Sequence, residues 1–370
     1  MKLVKAENSD SEKLLSYFSQ STLSGPVHLR LRRMFNFFNQ YRFQSEDFVT
    51  YLLENDSGEI EAMASMIFRK AYIDGQPETI GYAVDLRVSP TRSAITNWSH
   101  HFLPVLNEER LSRNCKYIFS VVAHSQRQAY NALIRPRHFR RKMPRYHLYR
   151  RFQAVSLHGV WPFHDLPLAG IKIRSARGSD LSQLAEYILK KSAQRPLRYY
   201  GTPEEFCSSL EQWQDLFVEN FLLALDRNER IIGCTAPWNP ERVQRVYPKA
   251  YDAKAQNFQD ILRILSWFGV AHPLPKEEGE FQVRHLTHLF ADNSDIFYSL
   301  LYNAFRQSGK NEALIYPHFE GELLTMPPRS FISATMKFGL YCVLAPTDPI
   351  PDFLRPKTLQ TPPVFETAFL

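Results

Sequence analysis

KAENSDSEKLLSYF, at residues 5–18, is matched by a second segment of the same chain, SARGSDLSQLAEYI at residues 175–188. An alanine, a serine, an aspartate, a leucine and a tyrosine recur between them at a constant offset of 170 residues. YLLENDSGE (51–59) and FLLALDRNE (221–229) repeat at the same offset. Two separated matches at one offset indicate a duplicated unit, and this period is far too long for a solenoid repeat. The chain is therefore predicted to contain two copies of one domain.

Both copies show the same order of elements. A short apolar strand precedes a Ser-Asp pair, which caps a helix whose apolar residues recur every three or four positions. A variable helical region and a hairpin follow, and then come a strand, a helix and two more strands. These last four elements lie at 81–88, 94–112, 116–123 and 146–152 in the first copy and at 281–290, 294–308, 312–319 and 338–344 in the second. This order predicts the α/β class, as two tandem domains that each have a mixed, mostly antiparallel sheet flanked by helices.

Composition sets the domain boundaries. The first domain is predicted at 1–155, a linker containing proline and glycine at 156–170, the second domain at 171–345 and a proline-rich tail at 346–370. The tail shows no helical period, so we expect it to be extended and to pack along the surface or against a partner.

Two further helices are predicted outside the shared order. The second copy carries an insertion whose segment QNFQDILRILSWFGV (256–270) has a helical pattern. In the first copy, HLRLRRMF (28–35) is interpreted as an amphipathic helix whose arginines face outward.

The bulk properties exclude several classes of protein. An apolar fraction of 44% over 370 residues is enough for large cores and argues against disorder. Four cysteines, all far apart, form neither a zinc-binding pattern nor a disulfide framework. The first residues do not resemble a secretory signal, and no apolar run approaches the length that spans a bilayer. We therefore expect a soluble, cytoplasmic protein without a membrane partner.

VSPTRSAITNW (88–98) joins a predicted strand to a predicted helix and contains Val88, Pro90 and Arg92. With the order of elements in both copies, it resembles the GNAT superfamily of acyl-CoA-dependent N-acyltransferases, in a tandem arrangement. In that family a glycine-rich turn opens the helix, and its backbone N–H groups hold the coenzyme A pyrophosphate. Here Ile95 and Asn97 stand where the family has glycines.

The resemblance implies an acyl-CoA site in the first copy, with acetyl-CoA or another acyl-CoA as co-substrate and no metal. The binding residues that it implies are Val88, Arg92, Ser93, Ala94, Ile95, Thr96 and Asn97. The matching turn of the second copy (291–295) contains Asp292 and Asp295, whose carboxylates would repel a phosphate. We expect no acyl-CoA site there.

Two residues are candidates for the chemistry of acyl transfer. Asp85, inside an apolar strand, is the candidate base, because burial raises the pKa of a carboxyl group; the alternative is a structural ion pair with Arg87 or Arg92. The tyrosine with which the family protonates the leaving thiolate corresponds to Ile134 here. Tyr130, one helical turn earlier, is the candidate replacement, and a core tyrosine is the alternative.

A histidine pair and a basic run are two further patterns with ligand-binding residue types. His285 and His288 are three apart in a predicted strand and so face opposite sides, which argues against a metal site. The basic run RPRHFRRKMPRYHLYRR (135–151) has no acidic residue, and its cations could bind RNA or form a solvated positive face. Those cations are Arg135, Arg137, Arg140, Arg141, Lys142, Arg145, Arg150 and Arg151.

The sequence thus favours an N-acyltransferase, and in particular an N-acetyltransferase, that acts on an amine of a small molecule or peptide. Two alternatives stay open. One is a transferase of the tandem GNAT type that takes its acyl group from aminoacyl-tRNA, which fits the missing glycines and the basic run. The other is a catalytically inactive GNAT-like binding protein.

Overall fold

Residues 1–135, 144–163, 166–168, 170–355 and 361–370 are described by the computed structural model. The strands are β1 (Lys2–Lys5), β2 (Thr22–Leu23), β3 (Val27–Arg33), β4 (Phe48–Glu54), β5 (Ile60–Ile73), β6 (Gln76–Val88), β7 (Tyr117–Ala123), β8 (Arg145–Val160), β9 (Lys172–Ser175), β10 (Leu222–Leu225), β11 (Ile231–Trp238), β12 (Gln244–Tyr251), β13 (Val283–Ala291), β14 (Ala313–Phe319) and β15 (Phe331–Leu344). The helices are α1 (Ser11–Gln20), α2 (Asn39–Arg42), α3 (Arg92–Ser112), α4 (Arg127–Ala129), α5 (Leu181–Ser192), α6 (Pro203–Gln212), α7 (Ala253–Trp267) and α8 (Ser294–Gln307), and a π-helical turn (Tyr130–Ile134) continues α4.

Twelve of the strands form one continuous sheet, in the order β1-β4-β5-β6-β7-β15-β8-β14-β13-β11-β10-β9. The order is palindromic, because each strand of the first copy occupies the same place, counted from its own edge, as its counterpart in the second. The last strand of each copy lies inside the other copy: β15 separates β7 from β8, and β8 separates β14 from β15. The mixed α/β architecture with flanking helices is confirmed, and both copies contribute to a single sheet.

The joint between the copies is the antiparallel pair of β8 and β15. It runs from Phe331 opposite Val160 to Leu344 opposite Arg145, with two register shifts. β8 is much longer than the strand expected at 146–152, and it extends to Val160, into the segment expected to be a linker. β8 and β15 are both long. They pair with each other along their length, and in addition β8 pairs with β14 and β15 pairs with β7.

A second, three-stranded sheet has the order β12-β3-β2. The helix expected at 28–35 is wrong, because β3 (Val27–Arg33) is a strand that pairs with β12 of the second copy. The apolar residues of this segment alternate with polar ones, which is the period of a strand and not of a helix. Its partner lies more than two hundred residues away in sequence, so no local pattern indicated it.

Aromatic residues fill the space between the sheet and α1 and α2. At the joint, the ring of Phe152 on β8 lies 5.2 Å from that of Phe338, 5.3 Å from Phe319 and 5.0 Å from Phe365, measured between centroids. Phe365 belongs to the proline-rich tail. The end of the tail, at 364–369, is buried within the protein instead of following its surface.

Because Phe152 packs against side chains from both copies and from the tail, we expect Phe152→Ala to lower the free energy of unfolding by about 3–5 kcal/mol. Urea unfolding, followed by circular dichroism, measures this change. Phe217→Ala is the control, since that side chain is 63% exposed and its loss leaves no cavity. A change in Phe152→Ala as small as in the control would show that the joint does not carry the stability of both halves.

Candidate functional site

A groove opens in the first copy where two parallel strands separate. β6 and β7 pair only between Ile80–Tyr82 and Tyr117–Phe119, after which their carboxyl ends diverge. Residues 83–88 of β6 are all partly exposed. In open α/β sheets, ligands bind beyond the carboxyl ends of parallel strands. The β6–β7 groove is therefore accessible at the position where a ligand is expected.

The first turn of α3 lies at the end of β6. Thr91 caps this helix, because its Oγ1 accepts from the backbone N–H of Ala94 at 3.2 Å and its carbonyl accepts from Ile95 at 3.1 Å. The N–H groups of Arg92 and Ser93 have no acceptor among the described residues. Both side chains are exposed. A positive helix end, a cation without an ion pair among the described residues, and two backbone amides together suit an anion.

The remaining residues expected to bind acyl-CoA surround this turn. Val88 ends β6 and is partly exposed, and Ala94 lies on the buried side of α3. The side chain of Ile95 is 53% exposed, so it does not fill the groove. Thr96 is exposed, and the Asn97 side chain donates to the carbonyl of Ser93 at 3.0 Å. Their role in binding acyl-CoA stays a prediction.

Asp85 lies in a buried polar network beneath the groove. Its carboxylate pairs with the guanidinium of Arg33 and accepts a hydrogen bond from Tyr41 Oη at 2.8 Å. Tyr41 also contacts Ser65 Oγ at 2.8 Å, which in turn lies 2.7 Å from Thr50 Oγ1. Arg33 is buried, and its guanidinium carbon lies 4.3 Å from the centroid of the Phe37 ring.

This network determines the charge of Asp85. Burial by itself raises the pKa of the carboxyl group, but the charges of Arg33 and Arg87 and the hydrogen bond from Tyr41 outweigh it, and the net pKa is lowered. An ionised, paired carboxylate is a weak base, which favours the structural ion pair over a catalytic role. The principal partner is Arg33, which the sequence interpretation had placed on an outward-facing helix.

Tyr130 begins the π-helical turn that follows β7, at the same end of the sheet as the first turn of α3. It is partly exposed, and its ring centroid lies 6.0 Å from that of His124. No hydrogen bond or ring contact between described residues joins Tyr130 to Asp85. The two residues are therefore not in direct contact, and the role of Tyr130 stays a prediction.

In the second copy, the equivalent groove is filled by the chain itself. β13 and β14 also pair across three residues, Val283–His285 with Ala313–Ile315, and then separate. The tail enters this gap: Glu366 accepts from the backbone N–H of His288 at 2.9 Å, and Thr367 Oγ1 lies 3.0 Å from Nδ1 of His285. Past the paired residues, five of the last six residues of β13 are buried.

The charges around the filled groove differ from those of the first copy. Burial raises the pKa of Glu366 to about 8, although the His288 N–H, Tyr199 and Arg69 act against it. Burial lowers the pKa of His288 to about 3, so that imidazole is neutral. Asp292, at the start of α8, forms an ion pair with Lys191 at 2.6 Å.

Among the described residues, no group of three His, Cys, Asp or Glu could hold a metal ion.

The basic run at 135–151 is only partly described. Arg137, Arg140, Arg141 and Lys142 lie outside the described residues, and Arg135 is exposed. The other three contact the protein: Arg145 donates to the carbonyl of Asp348, Arg150 to that of Tyr149 at 2.9 Å, and Arg151 lies 3.8 Å from Glu320. An RNA partner stays a prediction without structural support.

The comparisons with solved structures identify the fold. Saccharomyces cerevisiae N-myristoyltransferase with bound myristoyl-CoA and inhibitors matches 92% of this chain and 79% of its own, at 12% identity and a TM-score of 0.55. Another structure of that enzyme with myristoyl-CoA matches 92% and 82%, at 10% identity and the same TM-score. A glucosamine N-acetyltransferase region of a fungal multi-domain β-N-acetylglucosaminidase matches 93% of this chain but 38% of its own, at 12% identity and a TM-score of 0.55.

No protein-family model and no curated protein sequence matches the chain. The structural matches extend over nearly its whole length, and the expected resemblance to GNAT proteins is confirmed at the level of the fold. No helix of the described residues is long and apolar enough to cross a membrane.

Asp85→Asn should lower the free energy of unfolding by about 3 kcal/mol at neutral pH, because it leaves the buried charge of Arg33 without its counterion. Since folding lowers the pKa of Asp85, its contribution is present above the ordinary value of about 4 and is lost as the pH falls further. Urea unfolding at neutral and acidic pH measures both effects.

Asp74→Asn is a matched control, because Asp74 is also an aspartate with a left-handed backbone (φ 49°, against 55° at Asp85), but it is exposed. Equal stability of the two variants at neutral pH would contradict the structural role of Asp85.

Glu366→Gln should remove a pH dependence of stability. With its pKa raised to about 8, Glu366 keeps a proton in the folded state that the unfolded chain releases above its ordinary value near 4.5. The contribution of Glu366 to stability should therefore fall by a few kcal/mol between about pH 5 and about pH 9, and the difference in stability between the variant and the wild type should change by that amount. The variant, neutral throughout, should lack that fall, as measured by urea unfolding across this range. Glu186→Gln, on the exposed face of α5, should retain the wild-type slope.

Proposed function

We propose that this chain, whose fold is that of the GNAT N-acyltransferases, transfers an acyl group from a coenzyme A thioester to an amine in the β6–β7 groove of its first copy. The observation that carries the proposal is the contrast between the two grooves. Residues 83–88 of β6 are accessible, whereas the corresponding part of β13 is buried under residues 364–369. Among the described residues, no segment fills the first groove, which supports a ligand site there.

The first turn of α3 supplies the anion-binding end of this site. A pyrophosphate would accept hydrogen bonds from the free backbone amides of Arg92 and Ser93, and the Arg92 guanidinium would add a charge-assisted bond. Thr91 already satisfies the next two amides, so fewer backbone donors remain than in a glycine-rich turn. We infer that the side chain of Arg92 contributes a larger share of phosphate binding here.

In the reaction, the lone pair of the neutral amine attacks the thioester carbonyl carbon, and a new C–N bond forms. The C–S bond then breaks, the nitrogen releases a proton to solvent, and the coenzyme A thiolate gains one from a donor that solvent protonates again. We assign the proton donated to the thiolate to Tyr130, because its turn follows β7 at the open end of the groove. Asp85 receives no proton-transfer role, since Arg33 keeps it ionised.

The donor and the acceptor are open within this class. The matched yeast structures contain myristoyl-CoA, and the matched fungal region is named a glucosamine N-acetyltransferase. These names span long and short acyl groups. We propose an acyl-CoA donor and an amine acceptor on a small molecule or peptide, with acetyl-CoA as the first donor to test.

Arg92→Glu should weaken acyl-CoA binding by roughly tenfold or more, because it replaces a phosphate-binding cation with a repelling carboxylate. Isothermal titration calorimetry with acetyl-CoA and with myristoyl-CoA measures this change. Arg227→Glu is the matched control, since it is the same charge reversal at an exposed hairpin turn of the second copy.

Absence of binding by the wild-type chain to either thioester would refute the proposal. In that case, salt-dependent binding of aminoacyl-tRNA would favour the transferase that uses this other donor, and no binding to any of the three would favour the inactive binding protein. Equal affinity of Arg92→Glu and wild type would place the phosphates elsewhere.

A further inference from the structure

Two aromatic side chains close the β6–β7 groove at its inner end. Tyr82 and Phe119 are the last residues that β6 and β7 pair before the strands separate. Their ring centroids lie 6.0 Å apart, and the two residues are 3% and 0% exposed. We call Tyr82 and Phe119 the floor pair. A chain that entered between the strands from the open end would reach the floor pair first.

Further rings pack behind the floor pair on the same face of the sheet. The ring centroid of Phe119 lies 5.8 Å from that of Tyr149 and 6.2 Å from that of Phe353, which belongs to the proline-rich tail. Tyr149 and Phe353 are themselves buried. Because protein interiors are close-packed, the ring of Phe119 cannot turn aside without displacing these neighbours. On this face, a chain could extend past the floor pair only by displacing several rings.

The opposite face of the same strands is also filled. Gly81 precedes Tyr82 on β6 and therefore faces the other side of the sheet. A Cβ atom added at Gly81 would lie 3.3 Å from the ring of Phe68, 3.4 Å from the side chain of Ile118 and 3.5 Å from Sγ of Cys115. A single added carbon would already be at or inside the optimal contact distance. An acyl chain therefore has no space beside Gly81.

Charged side chains lie close to the floor pair as well. The ion pair of Arg33 with Asp85 lies beneath the groove. Arg69 is buried, and its guanidinium carbon lies 4.5 Å from the centroid of the Tyr82 ring. An alkyl chain is stabilised by transfer from water to apolar surroundings, whereas displacing the partners of a buried charge costs free energy. A long acyl chain would therefore gain little from entering this region.

We propose that the floor pair limits the acyl group of the donor to a short chain, such as acetyl or propionyl. The inference rests on the proposed acyl transfer and specifies its donor class. The fold alone does not set this limit, because the matched yeast enzyme of the same fold is bound to myristoyl-CoA. The side chains at the inner end of the groove set it. Tyr82 and Phe119 thus have a role in specificity and none in proton transfer.

Isothermal titration calorimetry of the full chain with acetyl-CoA and hexanoyl-CoA tests the proposal. A buried chain would strengthen binding about fourfold for each methylene, which is roughly two hundredfold for the added methylenes of hexanoyl-CoA. Wild type should instead bind hexanoyl-CoA no more tightly than acetyl-CoA. Tighter binding of hexanoyl-CoA would leave the acyl-CoA site in place and overturn the limit on chain length. Absence of binding to both thioesters would refute the acyl-CoA site itself, and the limit with it.

Phe119→Ala should change this preference, because it opens a cavity below the groove that can hold part of a longer chain. We expect the variant to bind hexanoyl-CoA at least about tenfold more tightly than acetyl-CoA. Phe206→Ala is the matched control and should keep the wild-type order, since Phe206 is also fully buried but lies on α6 in the core of the second half.

Circular dichroism establishes that both variants are folded before the titrations. A folded Phe119→Ala that keeps the wild-type order would overturn the proposal, and so would a Phe206→Ala that gains the same preference for hexanoyl-CoA. If Phe119→Ala does not fold, the titrations of the wild type decide the proposal.

Discussion

The antiparallel pairing of β8 with β15 is the interaction on which the rest of the structure depends. Each of these strands leaves its own copy and completes the sheet of the other, so neither copy can close without its partner. Phe152 and Phe338 stack at this joint, with centroids 5.2 Å apart, and bring aromatic side chains of both halves and of the tail into one core. The two halves therefore form one continuous sheet, because the exchanged strands cover the edges that two separate sheets would have exposed.

A palindromic sheet has two equivalent grooves, and the chain uses them differently. Both open where a parallel pair separates after three paired residues. The tail fills the groove of the second copy, where its Glu366 and Thr367 bond to His288 and His285. The helices that follow the two grooves also differ in charge, since α3 begins with Arg92 and the first turn of α8 contains Asp295. The tail thus fills one groove, whereas among the described residues no segment fills the other.

The sequence predicted what local pattern and repetition determine. The recurrence of residues 5–18 at 175–188 indicated two similar halves, and the order of elements indicated the fold. The exchange of β8 and β15 left no local signal, because a strand does not encode which neighbour it pairs with. The segment at 28–35 was interpreted as a helix although Leu29 and Leu31 alternate with arginines, since the partner of its strand lies in the other copy. Consequently the ion pair of Arg33 with Asp85 was not predicted, and Asp85 was interpreted either as a base or as the partner of Arg87 or Arg92.

Asp85 and His288 occupy equivalent backbone positions in the two halves, but their side chains differ in charge. Both residues have left-handed backbones, with φ of 55° and 51°, and each lies just past the point where its strand leaves its parallel neighbour. Aspartate and histidine tolerate this conformation better than apolar residues do. At Asp85 a buried arginine and a tyrosine keep a charge stable beside a groove that stays accessible. At His288 aromatic rings surround a neutral imidazole, and a carboxyl group that holds its proton near neutral pH closes the gap. The accessible groove therefore lies beside an ionised carboxylate, whereas the filled groove contains a neutral imidazole and a carboxyl group that keeps its proton.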